Sequence, residues 1–354
     1  ADVWDFIEGG SGAELTLQAN RTAFEQVTLR PRMLVDVSAC STRTTVLDAN
    51  LSMPLGIAPT AYHRLAHADG EVGTARGAGA AGALYIVGMF ASRTLEEIAE
   101  AASGPLWFQL YWLRRRDVMA YLIKRASTAG YSAVVLTVDA PRIGRRLRDL
   151  RNAFAIDPEI RAVNLDPELM AATHRRRLGE SALAVHSAQT FDASLTWDDL
   201  AWLRETTDLP LVLKGILTAE DAQRAVECGV DGIIVSNHGG RQLDGVSASL
   251  DALAEVATAV AGRCPVLFDG GVRCGTDVFV ALALGARAVL IGRPVLWALA
   301  VNGGAAVAQL LRLLHEELTV TMALAGRPSV AEIDRSAVNY RSVWGPRWEP
   351  TPGG

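Results

Sequence analysis

Eight short apolar runs, each followed by a helical pattern, narrow the fold of this chain more than any other feature. They cover residues 55–59, 84–88, 106–111, 133–139, 211–214, 232–237, 266–269 and 288–292. They are rich in Val, Ile and Leu and do not alternate polar with apolar, the pattern of parallel strands buried on both faces. Start and stop signals punctuate the helices between them. Thr94-Leu95-Glu96-Glu97 spells a capping box, and Thr196, Thr218 and Ser247 are expected N-caps. Gly82, Gly130, Gly229 and Gly285 each close a helix just before the next run. Eight such units in series make a closed barrel or a large open sheet. Eight is the number that closes, so the expected fold is α/β, a (β/α)8 TIM barrel, and 354 residues suit a single one.

Three segments depart from the rhythm. Residues 1–50 read as an N-terminal extension of a helix plus a strand or two. Residues 147–195, after the fourth run, form a long insertion with a charged helical stretch at 170–178, the usual place and length of a lid. Residues 346–354 read as a flexible tail rich in Pro and Gly. The numbering opens without Met inside a helical pattern at Val3-Trp4-Asp5-Phe6-Ile7, so a short N-terminal piece is expected to precede it; no signal-peptide pattern is present.

Composition excludes more than it identifies. The formal net charge is −5, and the basic clusters Arg114–Arg116 and Arg175–Arg177 are short enough to be solvated helix faces, so nucleic acid is not an expected partner. Cys40, Cys228, Cys264 and Cys274 lack the spacing of a zinc or redox pair, so no metal site is expected and reduced thiols in a cytoplasmic protein are. No uninterrupted apolar run approaches the roughly 18 residues of a membrane helix.

In a barrel, chemistry sits at the C-terminal ends of the strands. Read there, the sequence offers Pro59-Thr60-Ala61, Gly88-Met89-Phe90, Gln109-Leu110-Tyr111, Thr137-Val138-Asp139, Lys214-Gly215, Ser236-Asn237-His238, Asp269-Gly270-Gly271-Val272-Arg273 and Gly292-Arg293. The last two follow the seventh and eighth strands, where barrels commonly bind phosphate; glycines expose backbone N–H groups and arginine adds a forked, permanently charged donor. His238 lies three residues before Arg241, a pairing that suits proton abstraction beside an anchored anion. Lys214 at the barrel mouth needs an anionic partner, and Asp139 could hold the imidazolium form of His238.

Taken together, these motifs, with Gly9-Gly10-Ser11-Gly12, Leu29-Arg30-Pro31-Arg32, Gly144-Arg145-Arg146 and Gly292-Arg293-Pro294, resemble the FMN-dependent 2-hydroxy-acid oxidase and dehydrogenase family over nearly the whole chain. The resemblance implies FMN as cofactor and a role for each residue. His238 takes the proton, Asp139 orients it, Arg241 and Arg146 clamp the substrate carboxylate, and Tyr111 hydrogen-bonds the substrate. Lys214 stabilises negative charge on the flavin ring, which Gln109, Thr137, Ser236, Gly88 and the backbone at Pro59, Thr60 and Ala61 hold. Asp269, Gly271, Arg273, Gly292 and Arg293 hold the ribityl and phosphate parts. A homo-oligomer, a tetramer, is expected by the same analogy.

Two departures bear on substrate. The family usually has Tyr where Phe6 stands, and Ser-Ser-Trp or similar where Gly88-Met89-Phe90 stands. Loss of these donors leaves an apolar wall of Phe6, Met89 and Phe90, suited to an aryl group. Within the family the chain is most similar to the mandelate and 4-hydroxymandelate oxidases. The expected reaction is therefore oxidation of an (S)-mandelate-type acid to the 2-oxo acid, with O2 reduced to H2O2. The membrane-bound mandelate dehydrogenases carry an apolar segment after the fourth strand, whereas Arg161-Ala162-Val163-Asn164-Leu165-Asp166 is polar, so no membrane association is expected. The alternatives are a lactate- or glycolate-type oxidase or monooxygenase, a dehydrogenase with another acceptor, and a barrel that binds FMN or phosphate without redox work.

Overall fold

A computed structural model describes residues 2–166, 170–174 and 181–340. The eight apolar runs form a closed parallel barrel. In chain order its strands are β4 (Leu55–Ile57), β5 (Leu84–Gly88), β6 (Leu106–Tyr111), β7 (Val134–Thr137), β8 (Leu211–Ile216), β9 (Gly232–Val235), β10 (Val266–Asp269) and β11 (Ala288–Ile291), and β11 pairs with β4 to close the ring. The strands keep a period of two. One pleat face, carrying Leu84, Ile86, Trp107, Val135, Val212, Ile234, Leu267 and Leu290, fills the barrel interior. The other face, carrying Tyr85, Val87, Phe108, Leu136, Leu213 and Phe268, packs against the surrounding helices.

The punctuation of the helices largely holds. Thr94 and Thr196 make capping boxes, with Glu97 and Asp199, and the Thr218 side chain accepts from Asp221 N–H. Gly82 closes the helix Glu71–Ala81 in the left-handed conformation. Ser247 is a correction: the helix Ser249–Val260 takes Ala248 as its N-cap, and the Ser247 carbonyl instead accepts from Asn237 Nδ2 at 3.1 Å. All four cysteines are free thiols.

The N-terminal extension is richer than one helix and a strand or two. It holds the helices Asp2–Glu8 and Leu15–Glu25 and three strands, β1 (Val27–Leu29), β2 (Thr44–Val46) and β3 (Ala49–Leu51). β2 and β3 form a hairpin whose Val46, Ala49 and Leu51 join the barrel-interior core, while β1 pairs antiparallel with β12 (Val338–Tyr340). The helix Leu15–Glu25 packs across the loop that carries His238.

Of the insertion, the helices Leu147–Arg151 and Ala182–Thr190 and a 3-10 turn at Ala171–His174 are described; the rest of the charged stretch at 170–178, and the tail from 346, lie outside the described residues. The helix Arg293–Leu324 is long and apolar enough, by length and composition, to cross a membrane. It is broken at Asn302 and Gly303 and packs against the helix Glu71–Ala81, where a Cβ on Gly77 would meet the Gly304 carbonyl at 2.6 Å. That is the close approach of a barrel's outer helix layer.

Candidate active site

Strand register and pleat parity bring the polar strand ends together. Gly88 pairs with Gln109, Tyr111 with Thr137, and Thr137 with Lys214 across neighbouring strands. Counting in twos from the interior residues reaches Gly88, Gln109, Tyr111, Thr137, Lys214, Asp269 and Gly292, so their side chains enter the mouth of the barrel. A cavity of about 180 Å³ opens there. Pro59, Thr60, Ala61, Tyr111, Arg146, Lys214, His238, Arg241, Asp269, Gly271, Arg273, Gly292 and Arg293 all line it, as do Phe6 and Phe90. Gly88, Gln109, Thr137, Ser236 and Asp139 are not among the lining residues, but Ser236 and Asp139 hydrogen-bond the lining residues Lys214 and His238. A Cβ on Gly88 would come within 3.1 Å of the Thr60 carbonyl, so glycine permits this close approach.

His238 sits where three constraints meet. Its backbone is left-handed (φ 59°), its N–H donates to Ser236 Oγ at 3.0 Å, and its Nδ1 lies 2.9 Å from Asp139 Oδ1. With Nδ1–H donated to that carboxylate, Nε2 carries the lone pair and faces the Tyr111 hydroxyl at 3.4 Å. Burial lowers the His238 pKa, outweighing the pull of Asp139, and the cations Lys214 and Arg146 lower it further. The imidazole is therefore neutral and able to accept a proton at neutral pH. Burial works to raise the Asp139 pKa, but His238 and Lys214 hold it below the ordinary value, so the carboxylate stays charged. Burial raises the Tyr111 pKa, and Asp139 adds to this, which keeps its hydroxyl protonated.

The approach of Asp139 depends on Gly215. A Cβ there would lie 2.6 Å from the Asp139 Cβ, and Gly215 has φ 113°, at an irregularity where β8 shifts register against β9. One strand earlier in the same ring, Gln109 Nε2 donates to Thr137 Oγ1 at 2.9 Å. Lys214 Nζ reaches Ser236 Oγ at 2.7 Å and Asp269 Oδ2 at 2.9 Å, and Ser236 Oγ donates to Asp269 Oδ1 at 2.6 Å. Thr60 is anchored from below by His63 Nε2 at 2.5 Å. The His63 ring also meets Thr74, and the His63 backbone N–H donates to the buried Glu71 carboxylate.

Four arginines converge on the cavity. Arg241 and Arg293 donate to the backbone carbonyls of Ile7 and Gly9, and Arg293 also to Gly239. Arg146 is buried with its Nε unpartnered, and Arg273 lies over the Trp297 ring at 4.9 Å. Among the described residues none of the four forms a salt bridge to a carboxylate. Burial lowers the pKa of all four, and Arg146 and Arg293 depress Arg241 further; Arg293 falls to about 10. The carboxylates of Asp149, Glu8, Glu14 and Asp277 offset this only in part and from a distance, so the buried positive charge is a donor set for anions, one beside Arg273 and Arg293 and one beside Arg146 and Arg241.

The remaining wall is aromatic. Tyr111 stacks on Phe191 (4.8 Å between centroids), Phe90 stacks on Phe191 (6.1 Å), and the His186 ring stands edge-on to Phe90 (5.7 Å). Phe6 stacks on Phe154 at 4.5 Å beneath the Arg241 guanidinium. Met89 is a correction. It falls on the outward pleat parity, is fully buried in the core between barrel and helices, and its Sδ accepts from the Tyr111 N–H at 3.2 Å, so it does not line the cavity. Sequence reasoning missed Leu183, His186, Ser187 and Phe191, which the insertion brings into the lining. The i, i+3, i+4 spacing of Leu183, His186 and Ser187 on Ala182–Thr190 was the available signal, and Phe191 follows the helix directly.

Barrel, base and paired anion sites define a class of flavin enzyme, and comparison with known proteins agrees. The chain belongs to the FMN-dependent dehydrogenase family, whose match spans residues 1–340. It is 51% identical to a 4-hydroxymandelate oxidase of Amycolatopsis orientalis over 334 residues, covering 94% of this chain and 92% of that protein. It is 50% identical to an L-lactate oxidase of Nostoc sp. over 338 residues, with the same coverage. It superposes on a crystal structure of mandelate oxidase with (S)-4-hydroxymandelic acid at a TM-score of 0.92, with 49% identity, covering 96% of this chain and 94% of that one. The protein is thus an FMN-dependent enzyme of the 2-hydroxy-acid oxidase family. Its residues fit that cofactor: the Arg273 and Arg293 side of the cavity suits a phosphate, and Lys214 presents a buried cation at the barrel mouth.

Proposed function

We propose that this enzyme oxidises an (S)-2-hydroxy acid bearing an aryl group, of the mandelate or 4-hydroxymandelate kind, to the 2-oxo acid, with O2 reduced to H2O2. The observation that carries this reading is the aromatic wall of Phe90, Tyr111 and Phe191 running directly from His238, whose ring lies 6.4 Å from that of Tyr111. An aryl substituent fills such a wall, whereas the methyl or hydrogen of a small acid leaves it unpacked.

In this reading Arg241 and Arg146 bind the substrate carboxylate, which offsets the buried positive charge there. The Tyr111 hydroxyl donates to the substrate and helps fix the hydroxyl-bearing carbon against His238. His238 Nε2 accepts the proton released on oxidation, and Asp139 stabilises the imidazolium that results. FMN, when bound, would supply the two-electron acceptor chemistry that links substrate oxidation to O2 reduction. Gln109, Thr137, Ser236 and the Thr60 backbone would hold the flavin ring, and Lys214 would supply a fixed positive charge to it. Asp269, Gly271, Arg273, Gly292 and Arg293 hold its ribityl phosphate arm.

The second reading, a small substrate of the lactate type, is favoured by the 50% identity to an L-lactate oxidase. Anaerobic titration with (S)-mandelate, followed by admission of air, separates the two. Bleaching of the flavin and rapid recovery in air are expected. Bleaching by lactate or glycolate but not by mandelate would overturn the aryl assignment.

A further inference from the structure

We infer that the helix Ala182–Thr190 reads the far end of the substrate ring and selects a polar, hydrogen-bonding substituent there. This rests on the aryl reading above and goes beyond it by assigning residues to ring recognition.

The helix is held firmly against the barrel. Ser181 caps its start, accepting from Ala184 N–H. At its other end, Arg114 N–H donates to the Thr190 carbonyl at 3.0 Å and Asp192 N–H to the Trp112 carbonyl at 3.0 Å. The Asp192 carboxylate pairs with Arg116 at 2.8 Å. Leu183, His186 and Ser187 therefore present one fixed face, and all three line the cavity. Phe191, immediately after the helix, stacks on Tyr111, and His186 stands edge-on to Phe90, so this face continues the aromatic wall that leads away from His238.

Two polar side chains in that face are out of keeping with an apolar ring site. His186 and Ser187 are 2% and 3% exposed. The Ser187 hydroxyl spends its proton on the Ala184 carbonyl at 3.0 Å, which leaves its oxygen as an acceptor; the His186 ring lies against Thr190 Oγ1 at 3.3 Å. A phenolic hydroxyl donating to Ser187 Oγ satisfies both partners. An unsubstituted ring leaves the buried serine oxygen without a donor, and a neutral hydrogen bond of this kind is worth about tenfold in discrimination.

The test compares kcat/KM for (S)-4-hydroxymandelate and (S)-mandelate in the FMN-loaded enzyme and in Ser187→Ala and Ser187→Thr. The parent enzyme should prefer the 4-hydroxy acid by about tenfold. Ser187→Ala should bring the ratio close to one, and Ser187→Thr, which keeps the hydroxyl, should restore most of it. Equal retention of FMN and of melting temperature marks both variants as folded. A ratio that Ser187→Ala leaves unchanged overturns the inference while the aryl reading stands. A parent enzyme that oxidises lactate but neither aryl acid fails the aryl reading itself, and the inference with it.

Discussion

The left-handed backbone of His238 is uncommon for a residue with a Cβ, and the structure holds it there through Ser236 Oγ and Asp139. The carboxylate fixes the tautomer and leaves Nε2 as the base. Replacing His238 with Ala should leave FMN bound, since Arg273, Arg293 and Lys214 are untouched, and slow anaerobic flavin reduction by about 10²- to 10⁴-fold. Fast bleaching in that variant would remove His238 from the role. The pH profile follows from the same environment. Burial lowers the His238 pKa below 6.5, so the neutral base persists as pH falls past that value and is lost only when pH drops through the lowered pKa. Flavin reduction in the native enzyme should therefore stay level through pH 6.5 and decline below it; a midpoint above 6.5 contradicts the desolvated environment. At this scale the strand ends were legible because polar side chains interrupt apolar runs at the one end where barrels do chemistry. Met89 misled because adjacency in sequence says nothing of pleat parity once the strand has ended.

Individual elements decide how closely those residues approach. The strand β8 turns at Gly215 so that Asp139 can lie against its backbone. Gly215→Ala should lower stability by about 1–3 kcal/mol through a clash at positive φ, and should also slow flavin reduction by displacing Asp139. Gly229→Ala is the control: φ is also positive but the Cβ would meet open space, so only stability should suffer. Thermal melting and stopped-flow reduction of both variants check this, and equal reduction rates would deny Gly215 its part in placing Asp139. The eight strands and most caps could be read from the sequence because each is local, a short, largely apolar run or a capping pair three apart. The pairing of β1 with β12 could not, since both are three residues long and some three hundred residues apart, with no hydrophobic period to mark them. The helix Ala182–Thr190 was hidden for a related reason: an insertion carries no barrel register from which to place its face.

For the whole molecule, charge is distributed against its total. The chain is acidic overall, at −5, yet the cavity at the barrel mouth gathers Arg146, Arg241, Arg273 and Arg293 with Lys214, and of these five cations only Lys214 forms a salt bridge, to Asp269, among the described residues. Folding without ligand must bring these guanidinium groups together out of water, and burial pushes all four below their ordinary pKa. Binding an anionic cofactor to the native state alone removes much of that cost and stabilises by mass action, by about 4 kcal/mol at a thousandfold excess over Kd. FMN-stripped protein should accordingly melt several degrees below the loaded enzyme. Inorganic phosphate should restore part of the difference by occupying the Arg273 and Arg293 side, and riboflavin, which lacks the phosphate, should restore less than FMN. Sodium chloride at matched ionic strength separates site occupation from general screening, which weakens exposed charges far more than buried ones. Coincident melting of stripped and loaded protein would mean that the arginines are compensated within the protein, and the division of the cavity into two anion sites would fall with it.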